Sequence, residues 1–184
     1  HGNNNGYAQD NELTWVHWDT VDHPLVEFTA ALARLRRAHP TFRRSRFFNG
    51  RPVRREEGAP IPDIVWLRPD GSPMKPADWD SGFGLLVGMF LNGQGIREKD
   101  ARGRAVTDVN FLVYFNSAGD PVDVTLPDAR HGERWHVAVD TAGAMADGSE
   151  FDPLATITVE AKSLLVLQEV DGVEPSTDDS VDAS

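Results

Sequence analysis

From residue 62 onward the chain breaks into short apolar runs separated by turn-forming residues, and that punctuation admits few folds. Ile64-Val65-Trp66-Leu67 runs into Pro69-Asp70-Gly71-Ser72, where proline presets one turn angle and glycine reaches the positive φ that other residues avoid. Phe83 to Leu91 is apolar and glycine-containing, as a buried strand would be. Phe111 to Phe115 is followed by Asn116-Ser117-Ala118-Gly119-Asp120 and then by Val122 to Leu126, whose alternation places one face inward and one outward. Trp135 to Val139, Thr156 to Glu160 and Ser163 to Leu167 complete the set. About seven such strands at this spacing predict a small antiparallel sandwich.

Upstream the pattern changes. Leu25, Phe28, Leu32 and Leu35 form one apolar stripe at helical spacing. Pro24 suits a first helical position, Glu27 lies near the positive end, Arg34, Arg36 and Arg37 lie near the negative end, and Pro40 stops the run. A lone amphipathic helix must bury its stripe against something. Gly50, Pro52, Gly58, Pro60 and Pro62 among charges read as a linker or extended connection. From about Val170 the chain is rich in Asp, Ser and Glu without aromatics, a composition expected to stay disordered.

Composition removes several function classes. With 184 residues, 40% apolar and 26% charged, the chain can bury a core and holds one or two domains. No window approaches the roughly eighteen apolar residues of a membrane span. A net charge of −11 disfavours nucleic acid or an anionic membrane as partner. The basic stretch from Arg34 to Arg55, with Arg43, Arg44, Arg46 and Arg51 inside it, reads as a solvated face paired with acids elsewhere, since no phosphate loop accompanies it. The absence of cysteine excludes disulfides and thiolate metal sites and fits a reducing, cytoplasmic setting. His17 and His23 stand six apart and match no helical ligand pair, and His131 and His136 lack a third ligand, so no metal site is expected. No G-x-S-x-G elbow occurs, and Gly93-Gln94-Gly95 does not extend to a dinucleotide fingerprint.

The densest polar chemistry sits at the start. His1-Gly2-Asn3-Asn4-Asn5-Gly6-Tyr7-Ala8-Gln9-Asp10-Asn11-Glu12-Leu13-Thr14-Trp15 interleaves amides and carboxylates with rings, a mixture suited to sugar hydroxyls and sugar C–H faces. It begins abruptly, as a piece cut from something larger would. These residues, with Trp18-Asp19, resemble the segment after the eighth barrel strand of bacterial glycogen debranching enzymes, the isoamylase-like branch of the alpha-amylase superfamily of glycoside hydrolases. Gly6 and Ala8 stand where that family usually has Ala and Cys. Asp78-Trp79, Phe90-Leu91-Asn92-Gly93, Gly103-Arg104 and Asp108-Val109-Asn110-Phe111-Leu112 resemble the family's C-terminal region in the same order, so the likeness runs from His1 to about Glu169.

The resemblance implies a mainly β chain: a C-terminal antiparallel β-sandwich preceded by a loop and one helix left over from the end of a (β/α)8 barrel. Residues 1–50 would be the barrel remnant, 51–61 a linker, 62–169 the sandwich and 170–184 a disordered acidic tail. It implies hydrolysis of α-1,6 branch linkages in glycogen or limit dextrin by double displacement, with no cofactor. The family's catalytic carboxylates lie upstream of this segment, so the chain alone is expected to be a non-catalytic fragment that needs an N-terminal barrel portion. Asn5, Tyr7, Gln9, Asp10 and Asn11 are the candidate glucan contacts, Tyr7 for stacking, with Asn3 and Asn4 beside them. Trp15 and Trp18 are expected to anchor the loop. Asp10 with Glu12 and Asp78 with Asp80 supply acids at i and i+2, but such neighbours seldom face each other across a sugar at the roughly 5–5.5 Å that a retaining glycosidase needs.

Two alternatives come from other classes. A glucan-binding module would show Trp66, Trp79 and Trp135 exposed and coplanar. An interaction subunit completing a barrel supplied by another chain would leave the Leu25–Phe28–Leu32–Leu35 stripe bare.

Overall fold

The structure, a computed structural model, describes residues 6–7, 10–12, 14–15, 17–53, 59–80, 84–146 and 148–170. Apart from Val170, the expected acidic tail lies outside them. The chain divides into two compact units, His1–Ala38 and His39–Ser184.

In the first unit a 3-10 turn at Trp18–Thr20 precedes helix α1, His23–Ala38. The helix starts where it does because Asp22 caps it: the Asp22 carboxylate accepts the Leu25 amide at 3.0 Å, and its carbonyl accepts the Val26 amide at 3.0 Å. The acid at the positive end is therefore Asp22, just outside the helix, whereas Glu27 falls beyond the first turn. Arg36 and Arg37 occupy the last turn, where the helix dipole favours cations. No residue of α1 is buried, and Leu25, Phe28 and Leu32 of the apolar stripe are exposed.

The second unit is the antiparallel sandwich. It contains β1 (Pro52–Val53), β2 (Ile61–Pro62), β3 (Ile64–Leu67), helix α2 (Pro76–Trp79), β4 (Leu86–Leu91), β5 (Phe111–Asn116), β6 (Val122–Thr125), β7 (Trp135–Asp140), β8 (Glu150–Phe151), β9 (Thr156–Val159) and β10 (Ser163–Glu169). The main sheet has the order β3-β4-β5-β10-β7-β8, every neighbouring pair antiparallel. A second sheet pairs β6 with β9, and β1 pairs with β2. All seven strands expected from the sequence are present. The two-residue strands β1, β2 and β8 are too short to leave a periodic signal.

The core lies between the two sheets. Phe90, Leu112 and Leu167 form one row of the large sheet, with Leu67, Tyr114 and Leu165 in the next, and they meet Val124, Ile157 and Val159 from the small one. Trp135 is fully buried in this layer. Between Val166 and Leu167 the pairing to β7 shifts, leaving Ala138 as an extra residue, so Val137 faces the core while Val139 faces out. The Pro69–Ser72 turn forms as its residues dictate. Gly71 adopts φ +77°, its amide donates to the Arg68 carbonyl at 3.0 Å, and a Cβ there would meet the Thr125 carbonyl oxygen.

Residues 39–50, which read from sequence with the helix, are tied into the sandwich. His39 Nδ1 lies 2.8 Å from Asp108 Oδ1, the Thr41 amide donates to Asp108 Oδ2 at 2.9 Å, and the His39 and Phe42 rings pack on Phe111. Among the described residues no helix is long and apolar enough to cross a membrane.

Candidate functional site

The N-terminal loop is organised around the Asn11 carbonyl. The amides of Thr14 and Trp15 donate to it at 2.9 and 3.2 Å, and the Thr14 hydroxyl donates at 3.1 Å. The indole N–H of Trp15 donates to Asp10 Oδ1 at 3.1 Å, which spans the turn and holds one carboxylate oxygen in place. Trp15 thus ties the loop together through a hydrogen bond, yet its ring stays largely exposed, as does that of Trp18. Tyr7 is 90% exposed, so its ring faces are free to meet a ligand. Of the candidate contacts, Tyr7, Asp10 and Asn11 fall in this loop, while Asn5 and Gln9 (and Asn3 and Asn4) lie outside the described residues. Exposed rings beside a fixed carboxylate and a constrained backbone can stack on an apolar face and accept hydroxyl protons.

The sandwich carries a second aromatic group. Trp66 on β3 and Trp79 on α2 are 38% and 55% exposed, with centroids 5.5 Å apart and planes at 85°. Trp135 is buried. The three tryptophans form no coplanar platform, which removes the main support for a self-sufficient glucan-binding module. The Asp78 carboxylate accepts the Lys75 amide at 2.7 Å, capping α2.

The polar groups that sequence reasoning missed are structural clamps. Asp63 is fully buried. Its carboxylate accepts the Gly50 amide at 2.9 Å, the Asn49 amide at 3.2 Å and Arg44 Nη2 at 3.4 Å. Arg44, 3% exposed in its side chain, also donates to the Gly95 carbonyl at 2.9 Å and lies 4.0 Å over the Phe48 ring. One arginine of the basic stretch is therefore internal rather than solvated. Among the described residues no group of three His, Asp or Glu is placed to hold a metal. His131 is half of a pair with Asp128 at 3.1 Å; burial lowers its pKa, partly offset by that carboxylate.

Within the second unit Glu98 ties down the segment at Ser45 and Arg46. Its Oε1 accepts the Ser45 amide at 2.8 Å, the Ser45 hydroxyl at 2.9 Å and the Arg46 amide at 3.2 Å. Desolvation opposes its ionisation, but the Ser45 hydroxyl and amide, with further backbone donors, hold its pKa down to about 2. A depressed folded-state pKa adds stability that is present above the unfolded value of 4.5 and is lost as pH falls towards 2. Glu98→Gln is therefore expected to flatten the stability profile between those limits. Urea unfolding at stepped pH checks this, and an unchanged slope would contradict it.

Comparison with known proteins extends the site's context. Residues 63–167 match the family model described as isoamylase, C-terminal. The "Glycogen operon protein GlgX homolog" of Mycobacterium tuberculosis is 40% identical over 171 residues, 91% of this chain and 23% of that protein. The "Glycogen debranching enzyme" of Cronobacter sakazakii is 46% identical over 82 residues, 45% of this chain and 11% of that protein. That of Pectobacterium carotovorum subsp. carotovorum is 40% identical over 137 residues, 74% of this chain and 16% of that protein. The chain spans about a quarter or less of the length of these curated relatives.

Proposed function

The chain belongs to the isoamylase C-terminal family, and from that premise we propose that it is the C-terminal part of a glycogen debranching enzyme hydrolysing α-1,6 branch linkages in glycogen or a related glucan. The observation that carries this reading is the likeness to proteins named glycogen debranching enzyme, at 40% identity over 137 residues for that of Pectobacterium carotovorum, and the longer match to the mycobacterial glycogen operon relative, over 171 residues, accords with it. Residues 1–19 would form one wall of the substrate cleft. Tyr7 would stack on a glucose unit, and Asn5, Gln9, Asp10 and Asn11 would meet hydroxyls. Helix α1 would be the last helix of the catalytic barrel, and its bare stripe, Leu25, Phe28 and Leu32, supports a role in completing that layer. The sandwich would brace the barrel. The nucleophile and acid would come from the upstream barrel portion, the reaction passing through a covalent glycosyl-enzyme that water resolves. A cytoplasmic location accords with a glycogen substrate.

The direct test is reducing-sugar release from glycogen and its limit dextrin by the purified 184-residue chain, with a full-length debranching enzyme alongside. No release is expected from the chain alone. Sustained release free of contaminating activity would mean that the chain carries its own acid and nucleophile, and Asp10, Glu12, Asp78 and Asp80 would be the first residues to replace.

A further inference from the structure

The arginines of the second unit fall into two groups. Arg44, Arg68, Arg104, Arg130 and Arg134 each stand beside a carboxylate. Arg43, Arg46, Arg51, Arg97 and Arg102 are exposed, and among the described residues none has a carboxylate within 4.0 Å. The sequence expectation that acids elsewhere pair the basic stretch therefore holds for Arg44 and fails for Arg43, Arg46 and Arg51.

The unpaired arginines lie on two segments, 43–51 and 97–104, that adjoin. The Ser45 and Arg46 amides donate to Glu98 Oε1 at 2.8 and 3.2 Å, and Arg97 Nη2 donates to Asn49 Oδ1 at 3.5 Å. Lys99, also exposed, adds a further cation. The two acids on these segments are occupied: Glu98 takes the Ser45 and Arg46 donors, and Asp100 takes Arg104 Nε at 2.8 Å. Even with both counted, cations outnumber acids here, on a chain whose formal net charge is −11.

An aromatic ring stands in this field. Phe47 is 97% exposed, more than any other large apolar side chain among the described residues. Its backbone is fixed on both sides. Before it, Ser45 and Arg46 are bound to Glu98; after it, the Phe48 ring lies under Arg44 at 4.0 Å, and the Asn49 and Gly50 amides donate to Asp63 at 3.2 and 2.9 Å. A ring mounted this way needs little further ordering when it meets a partner.

Three features define that partner. Guanidinium groups match carboxylate geometry, so the partner is anionic. A bare Phe47 ring gains from an apolar side chain, which an inorganic anion does not carry. The net charge of the whole chain repels a long polyanion, while screening over about 10 Å confines the local attraction to a short acidic stretch.

We propose that segments 43–51 and 97–104 form a docking surface for a short acidic peptide segment of a separate polypeptide. Its carboxylates meet Arg43, Arg46, Arg51, Arg97 and Arg102, and one apolar side chain packs on Phe47. The inference goes beyond the debranching reading and does not rest on it.

The test measures fluorescence anisotropy of a labelled peptide, glutamates flanking a pair of leucines, titrated with the intact 184-residue chain. The wild-type chain is expected to bind, more weakly as salt rises. Arg46→Glu is expected to weaken binding about tenfold. Lys75→Glu makes the same charge change outside the two segments and should leave binding as it was. Should Arg46→Glu fail to fold by circular dichroism, Arg46→Gln gives the same reading with a smaller loss. Phe47→Ser should weaken the leucine-containing peptide and spare an all-glutamate one. Absence of wild-type binding at low salt would overturn the proposal, and so would an equal loss in Lys75→Glu, which would reduce the effect to net charge. Equal affinity for a single-stranded oligonucleotide of matching charge would replace the peptide with a general polyanion. Binding of the upstream portion of the Mycobacterium tuberculosis relative that Arg46→Glu abolishes would overturn the separate partner in favour of the parent chain itself.

Discussion

Asp63→Ala is expected to destabilise the sandwich unit by about 3–5 kcal/mol, because it strands a buried arginine. Asp63 is 0% exposed and receives Arg44 together with the amides of Asn49 and Gly50. With the carboxylate gone, the Arg44 guanidinium keeps the Gly95 carbonyl and the Phe48 ring but loses its only counter-charge within ion-pair distance among the described residues. Its Nε and Nη1 already lack partners among the described residues, so the group has no reserve of hydrogen bonds. The two amides lose their acceptor as well. Asp63→Asn retains an oxygen for those amides while removing the charge, so its cost should be smaller, about 2 kcal/mol. For a unit of this size the alanine variant should melt roughly 10–15 °C lower. Thermal unfolding of the three proteins checks the ranking; an alanine variant that melts with wild type would show that Arg44 finds water when its partner is removed.

The second large effect is expected from adding a single methyl group. Gly93→Ala would drive its Cβ into the carbonyl oxygens of Asp108 and Val109, which are backbone and cannot rotate away. The Gly93 amide donates to Asn110 Oδ1 at 2.9 Å and its carbonyl accepts the Asp108 amide at 3.1 Å, so both strands of the contact are pinned. Asp108 in turn holds His39 and Thr41, and any displacement would loosen that clamp too. Overpacking ordinarily costs about 1–3 kcal/mol, and contact with fixed backbone places this variant at or above about 3. Gly84→Ala is the control, since nothing lies within 4 Å of its Cβ position, and it should be near neutral. Denaturant midpoints for the two variants decide the matter: equal midpoints would mean that the 108–110 segment yields easily.

These two positions show where sequence reading stops. Asp63 and Arg44 sit nineteen residues apart in stretches that look like charge-rich connection, and nothing local distinguishes a buried charge from a solvated one. Gly93 belongs to a short motif that resembles its family, but the reason for glycine is a close approach by residues 108–109, distant in sequence. The tryptophans divide likewise: Trp66, Trp79 and Trp135 look alike in composition, yet only Trp135 faces the core. The loop of Tyr7, Asp10 and Asn11 was legible as polar and aromatic, and the Trp15–Asp10 bond that braces it was not.

The sequence by itself determined the seven longer strands, the long helix with its apolar stripe, the Pro69–Ser72 turn and the family, because periodicity, turn chemistry and motif order are properties of neighbouring residues. Tertiary structure alone decided which charge is buried, which glycine is obligatory, and which arginines stand without an acid beside them. Those depend on contacts between residues far apart along the chain. The bulge at Ala138 adds a change of facing along β7 that strict alternation cannot express.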